Sequence, residues 1–111
     1  MSNIIVINSE SMGKGDEELG RTLMGAFLRK LWAQEKKPAY IILYNSAVKL
    51  IAEGSSSLDA MDGLYSAGVD IIACGTCVEY YQLKGGLKIG RISSMDEICA
   101  LLMEADKVIT I

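Results

Sequence analysis

Apolar runs and amphipathic stretches alternate along this chain. Asn3-Ile4-Ile5-Val6-Ile7-Asn8 is a short continuous apolar run, β-branched through its centre. Such a run predicts a strand covered on both faces, as in a parallel sheet. Ala39 to Asn45 and Val69 to Ala73 have the same character, and Lys107 to Ile111 predicts a final strand. Leu87-Lys88-Ile89-Gly90-Arg91-Ile92 instead alternates, and its two cations and glycine suit a short edge strand.

Between these runs the period changes. Leu19, Leu23, Ala26, Phe27 and Leu31 recur at helical spacing behind Asp16, which can cap the helix. Glu17 and Glu18 suit its first turn, Arg29 and Lys30 suit its end, and Pro38 lies beyond it. Ser46 to Ile51 predicts a short helical turn over the strand ends. Leu58, Met61, Leu64 and Tyr65 mark a further helix, stopped by Gly68. Another is expected from about Cys77 to about Leu83, ended by Gly85-Gly86. Ser94-Met95-Asp96-Glu97 has capping-box spacing ahead of an apolar face of Ile98, Leu101, Leu102 and Ala105. Strands thus alternate with helices, which predicts a three-layer α/β/α single domain with a five-stranded, mainly parallel sheet. Right-handed crossovers put helices on both faces. The residues themselves do not set the strand order.

The 111 residues, half of them hydrophobic and one of them proline, make one domain with a sizeable core. The net charge of −3 and the lack of a basic run argue against a nucleic-acid partner. No apolar stretch is long enough to span a bilayer, and no leader precedes the first strand, so no membrane association is expected. Three cysteines, an odd number, read as free thiols in a reducing, cytoplasmic setting. Histidine is absent. That removes Ser-His and Cys-His nucleophile pairs and leaves too few soft ligands for a closed zinc site, so neither metal nor cofactor is expected.

Candidate chemistry concentrates in Cys74-Gly75-Thr76-Cys77, which leaves the carboxyl end of the third strand and enters a helix. Alpha/beta proteins place their sites at such ends, and the helix start favours thiolate over thiol. The Cys-x-x-Cys spacing also suits a dithiol redox pair, and buried packing is the plain alternative. Cys77, in the first helical turn, is the more thiolate-like by electrostatics. Cys99, beside Ile98 and Leu102, reads as core packing. Ser9, Asn45 and Ser46 follow the first two strands and share the rim with the cysteines. Lys49 is the candidate cation for a thiolate, Glu79 would oppose it if turned inward, and Thr76 lies within the turn. Tyr80 and Tyr81 either line the pocket or pack at a subunit contact. Gly13-Lys14-Gly15 fits neither the P-loop nor the dinucleotide fingerprint and reads as a flexible loop.

Met12 to Gly20, Asn45 to Leu50, Cys74 to Tyr81 and Lys88 to Ile92 together resemble the carboxyl-terminal domain of YedF-type selenium-metabolism proteins, which is similar to the wider DsrE/DsrF-like superfamily. The resemblance implies a sheet in the order 4-3-2-1-5 and assembly into homo-oligomers. It implies sulfur relay, a sulfurtransferase-like activity in which a cysteine after the third strand carries a persulfide. By strand position that cysteine is Cys74. It also implies an amino-terminal TusA-like sulfur-carrier domain. These residues hold no counterpart of that domain, which reads as either a stand-alone member or a cut-out domain, and without it a relay would need a sulfur donor or acceptor protein, such as a TusA-like one. Against this stand a Cys-x-x-Cys dithiol oxidoreductase and a non-catalytic oligomeric partner-binding subunit.

Overall fold

A computed structural model describes residues 2–111. Five strands, β1 (Asn3–Ile7), β2 (Tyr40–Leu43), β3 (Asp70–Cys74), β4 (Arg91–Ser93) and β5 (Lys107–Thr110), form one sheet in the order β4-β3-β2-β1-β5. Every pairing is parallel. The helices are α1 (Glu17–Ala33), α2 (Leu58–Ser66), α3 (Gly75–Tyr80) and α4 (Met95–Glu104), with a 3-10 turn over Asn45–Ile51. The expected fold class and strand order are therefore both found.

The order dictates where the helices lie. From β1 to β4 the chain steps always in one direction across the sheet, so right-handed crossovers stack the intervening helices on one face. The step from β4 to β5 runs back across the whole sheet, and it sends α4 to the opposite face. Packing agrees. Ile5, Ile7, Ile41, Leu43 and Ile71 meet Met24, Leu28, Met61 and Leu64 on the first face. Ile4, Val6, Ile42, Ile72 and Cys74 meet Ile98, Leu101, Leu102 and Ala105 on the second. Successive strand residues alternate between these layers, as the pleat requires.

The helix α1 starts where expected, with the Leu19 N–H donating to the Asp16 carboxylate at 2.7 Å. Its buried stripe is turned from the expected one. Gly20, Met24 and Leu28 are buried, Phe27 and Leu31 pack at the margin, and Leu19 and Leu23 stay exposed. Gly20 is the reason: it sits so close to Ser11 and the Met12 backbone that a Cβ there would overlap both. That close approach fixes the helix rotation. Gly63 of α2 likewise receives the ring of Trp32 from α1.

Two other expectations need correction. The edge strand is short, Arg91–Ser93, because Gly90 takes a positive φ of 78° and ends the extended run, while Leu87 pairs in isolation with Ala52. The capping box does not form either. Ser94 is the N-cap of α4 but makes no side-chain cap bond. Glu97 is instead held by Arg91, at 2.7 and 2.9 Å, and by the Ser93 hydroxyl. Arg91 also donates twice to Asp70 at 3.1 Å, so one guanidinium ties β3, β4 and α4 together. The arginine and serine bonds hold the Glu97 carboxyl down to about 2. A depressed folded pKa means that this contribution to stability is full above the unfolded value and is lost as pH falls towards 2. Acid titration of unfolding should therefore show a shallower loss for Glu97→Gln than for the wild type between about pH 4.5 and 2. The pair is exposed, so the difference will be small.

Among the described residues no helix is long and apolar enough to cross a membrane.

Candidate functional site

The carboxyl ends of β1, β2 and β3 bring the predicted residues to one rim, as the parallel sheet requires. The helix after the cysteine turn begins at Gly75, two residues before the expected start, with Cys74 as its N-cap. Gly75 permits this. A Cβ there would lie 3.2 Å from the Ser93 carbonyl oxygen and 3.3 Å from the Ile92 side chain, so the chain can turn tightly against β4. Cys77 is consequently the third helical residue, and α3 ends at Tyr80 rather than Leu83.

Cys74 and Cys77 take different surroundings. Cys74 is buried, 4% exposed, in the layer under α4. Cys77 is half-buried and packs at the margin of both layers. Its Sγ accepts the Asn45 backbone N–H at 3.1 Å. Asn45 can aim that N–H because it adopts a φ of 50°, a left-handed conformation that asparagine tolerates better than most residues. The Asn45 Oδ1 accepts the Tyr81 hydroxyl at 2.6 Å. Tyr81 is stacked edge-on against Tyr80, with ring centroids 5.1 Å apart, and Lys49 Nζ lies 4.6 Å over its ring. Asn45, Thr76, Cys77, Tyr80 and Tyr81 line a cavity of about 330 Å³. Tyr80 is 79% exposed and forms its outer lip.

The remaining predicted residues form a neighbouring recess. Lys49 pairs with Glu10 at 3.4 Å, the Glu10 N–H donates to Ser46 Oγ at 3.0 Å, and Ser46 and Ser9 hydroxyls lie 3.4 Å apart. Together with the 13–15 loop and Arg21 they line a polar hollow of about 520 Å³. Lys49 is thus linked to Cys77 only through Tyr81 and Asn45, and its own charge is answered by Glu10. Glu79 points outward and is exposed.

The electrostatics correct the expected thiolate. Burial pushes the Cys77 thiol above its ordinary value, the Asn45 N–H pulls it down, and the adjoining Cys74 thiol pushes it up again. No lysine enters this balance, and burial is its largest part. The balance favours the thiol over the thiolate at Cys77, which lies close enough to interact with Cys74. Cys99 also departs from expectation, for it is exposed. Ile98, Leu101, Leu102 and Ala105 centre their stripe on the sheet, and a residue one step beyond Ile98 is turned about 100° away from it. Limiting iodoacetamide should therefore label Cys99 first, Cys77 next and Cys74 last. The half-maximal pH for Cys77 should lie above the free-thiol value of about 8.5. Peptide mass spectrometry across pH reads both.

Sequence reasoning passed over Tyr44 and Glu10. Tyr44 follows β2 and packs against the Cys74 layer, and its hydroxyl is held up first by burial and then by Cys74, Cys99 and Cys77, so all three cysteines surround one tyrosine. Its position directly ahead of Asn45 at a strand end was the available signal.

The chain matches the YchN protein from E. coli with a TM-score of 0.74 at 20% identity, covering 100% of both chains. It matches MTH1491, a protein of unknown function from Methanobacterium thermoautotrophicum, with a TM-score of 0.73 at 18% identity, covering 99% of this chain and 98% of that one. BT1422 from Bacteroides thetaiotaomicron, a conserved protein of unknown function, matches with a TM-score of 0.64 at 15% identity over 99% and 95% of the two chains. No protein-family profile matches the chain, and no curated protein matches it. The fold is thus that of a set of small α/β proteins.

Proposed function

We propose that this protein relays sulfur as a cysteine persulfide formed in the Cys74–Cys77 turn, in the manner of DsrE-like carriers. The observation that carries the reading is the Cys77 sulfur. It sits at the mouth of a small pocket, accepts a backbone N–H from Asn45, and has a second thiol beside it. A protonated, half-buried thiol resists adventitious oxidation, because susceptibility follows thiolate character and exposure. The Asn45 N–H supports negative charge on Cys77 when a donor persulfide is attacked. The thiolate attacks the donor's outer sulfur, the donor's sulfur–sulfur bond breaks, and the donor leaves as a thiolate. The cavity of about 330 Å³ leaves room beside Cys77 for a donor's sulfur, and the exposed Tyr80 gives a partner protein something to rest against.

The likeness in fold to YchN supports the DsrE/DsrF-like resemblance. The closer kinship with YedF-type domains, the link to selenium metabolism and a TusA-like donor or acceptor rest on the resembling motifs. Self-association belongs to the same reading. The edge strand β5 leaves Val108 on one side of the sheet and Ile109 on the other exposed, and Met95 and Met103 stand out from α4. Light scattering that returns only monomer at micromolar concentration removes the oligomer. A dithiol oxidoreductase is the second reading, favoured by the direct approach of the two thiols. Intact mass after incubation with a sulfane donor, with and without reductant, decides between them. A reductant-sensitive gain of one sulfur atom supports the carrier. No added sulfur from the sulfane donor, together with a loss of two hydrogens on treatment with glutathione disulfide, supports the oxidoreductase and ends the carrier.

A further inference from the structure

The two cysteines of the turn open on opposite sides of α3. Cys77 faces the cavity under the 45–51 turn, with Asn45, Tyr80 and Tyr81. Cys74 forms part of the floor of a separate crevice of about 400 Å³, walled by Gly75, Thr76, Ile92, Ser93, Ser94 and Met95. That crevice has a topological origin. The loop leaving β3 turns to the face carrying α1 and α2, and the loop leaving β4 turns to the face carrying α4. Between β3 and β4 the two connections diverge, and open α/β sheets take their ligands where neighbouring connections part in this way. The Ser94 hydroxyl at its rim makes no cap bond, which leaves it available to a visitor. Among the described residues only Thr76 borders both openings.

We infer that sulfur enters at Cys77 and leaves at Cys74, crossing α3 by one transfer inside the turn. The inference rests on the carrier reading and adds a direction to it. In the transfer, the Cys74 sulfur attacks the outer sulfur of the Cys77 persulfide. A sulfur–sulfur bond forms at Cys74, the one at Cys77 breaks, and the bonding pair remains on Cys77 Sγ. The proton released by Cys74 ends on Cys77 Sγ, or stays in solvent while Asn45 N–H holds the charge. Nothing is oxidised or reduced overall. An acceptor thiol entering the crevice between β3 and β4 then attacks the outer sulfur on Cys74 and restores its thiol. Loading and delivery thus use different surfaces, so donor and acceptor need not compete for one mouth.

The test uses full-length protein carrying Cys99→Ser, which removes the exposed thiol, and compares it with the same protein bearing Cys77→Ser, Cys74→Ser or Cys74→Ala. Each is loaded with a sulfane donor, trapped with iodoacetamide, mapped by fragment mass spectrometry and timed for delivery to glutathione. Circular dichroism confirms folding, and the alanine variant avoids placing a hydroxyl in the apolar layer. The parent should carry sulfur on both cysteines. Cys77→Ser should carry none, because Cys74 is buried and accepts no N–H that would support charge during attack on a free donor. Both Cys74 variants should hold sulfur on Cys77 and deliver it roughly ten-fold more slowly or worse. Direct loading of Cys74 in Cys77→Ser, or parental delivery from both Cys74 variants, overturns the direction while leaving the carrier intact. Release of sulfide with a Cys74–Cys77 disulfide in place of transfer also overturns it. A parent that takes up no sulfur ends the carrier reading and this one together.

Discussion

Serine at position 77 should abolish persulfide loading while leaving the fold in place. The Cys77 sulfur sits at a helix start with its lower edge against both apolar layers and its upper edge on the Asn45 N–H. A serine hydroxyl can accept the same N–H, so the left-handed turn at Asn45 keeps its partner. The loss in packing is one partly buried sulfur, and its cost to stability should be about 1 kcal/mol or less. Chemically the change is total. A serine hydroxyl with no histidine to activate it does not open a sulfur–sulfur bond. Intact mass should show no added sulfur in the Cys99→Ser, Cys77→Ser protein, and thermal unfolding should stay near that of its parent. Sulfur uptake at the parental level would remove Cys77 from the chemistry.

Gly90→Ala should be strongly destabilising, because strain and backbone overlap coincide there. Gly90 has a φ of 78°, and a Cβ there would lie 2.7 Å from the Ile71 carbonyl oxygen and 3.3 Å from the Ile71 side chain. The left-handed conformation alone costs a residue with a Cβ roughly 1–2 kcal/mol. Relief of the overlap must come from backbone, since Ile71 is fixed in the middle of β3. We expect a total of about 2–4 kcal/mol, or a fall in Tm on the order of 10–20 °C for a domain of this size. Gly85→Ala supplies the contrast. Its φ is not positive and its Cβ would meet nothing within 4 Å, so it should be neutral or stabilise slightly by restricting the unfolded chain. Equal unfolding temperatures for the two variants would show that the Gly90 turn can relax.

Most of the architecture was legible because β-branched runs such as Ile4-Ile5-Val6-Ile7 have few other uses in a small domain. Strand positions, the Asp16 cap and the helix over Leu58 to Tyr65 followed from local chemistry. Errors arose where a distant contact decides a local matter. The rotation of α1 depends on Ser11 and Met12 meeting Gly20, and the start of α3 depends on Ser93 and Ile92 meeting Gly75. The capping box failed because Arg91, six residues away, competes for Glu97. The site was legible as a set of neighbours at one rim, Asn45, Thr76, Cys77 and Tyr80 among them, because strand polarity alone places them there. The charge state of Cys77 was not. It depends on how deeply the sulfur is packed and on where Lys49 spends its charge, and neither has a signature in spacing. Cys99 was misjudged because its neighbours Ile98 and Leu102 are buried, yet one helical step separates a core position from solvent.

The placement of α4 alone on its side of the sheet has a consequence for biosynthesis. Residues 3–93 contain everything needed to build four of the five strands and to cover one face with α1 and α2. The other face, with Ile4, Val6, Ile42, Ile72 and Cys74, has no cover of its own until residues 95–110 have left the ribosome. Chains emerge amino-terminus first and begin to fold as they do. For that interval the nascent protein presents a bare aliphatic sheet with a cysteine thiol in it. The thiol that ends as one of the least accessible groups in the protein is, while the chain is being made, open to the surrounding medium.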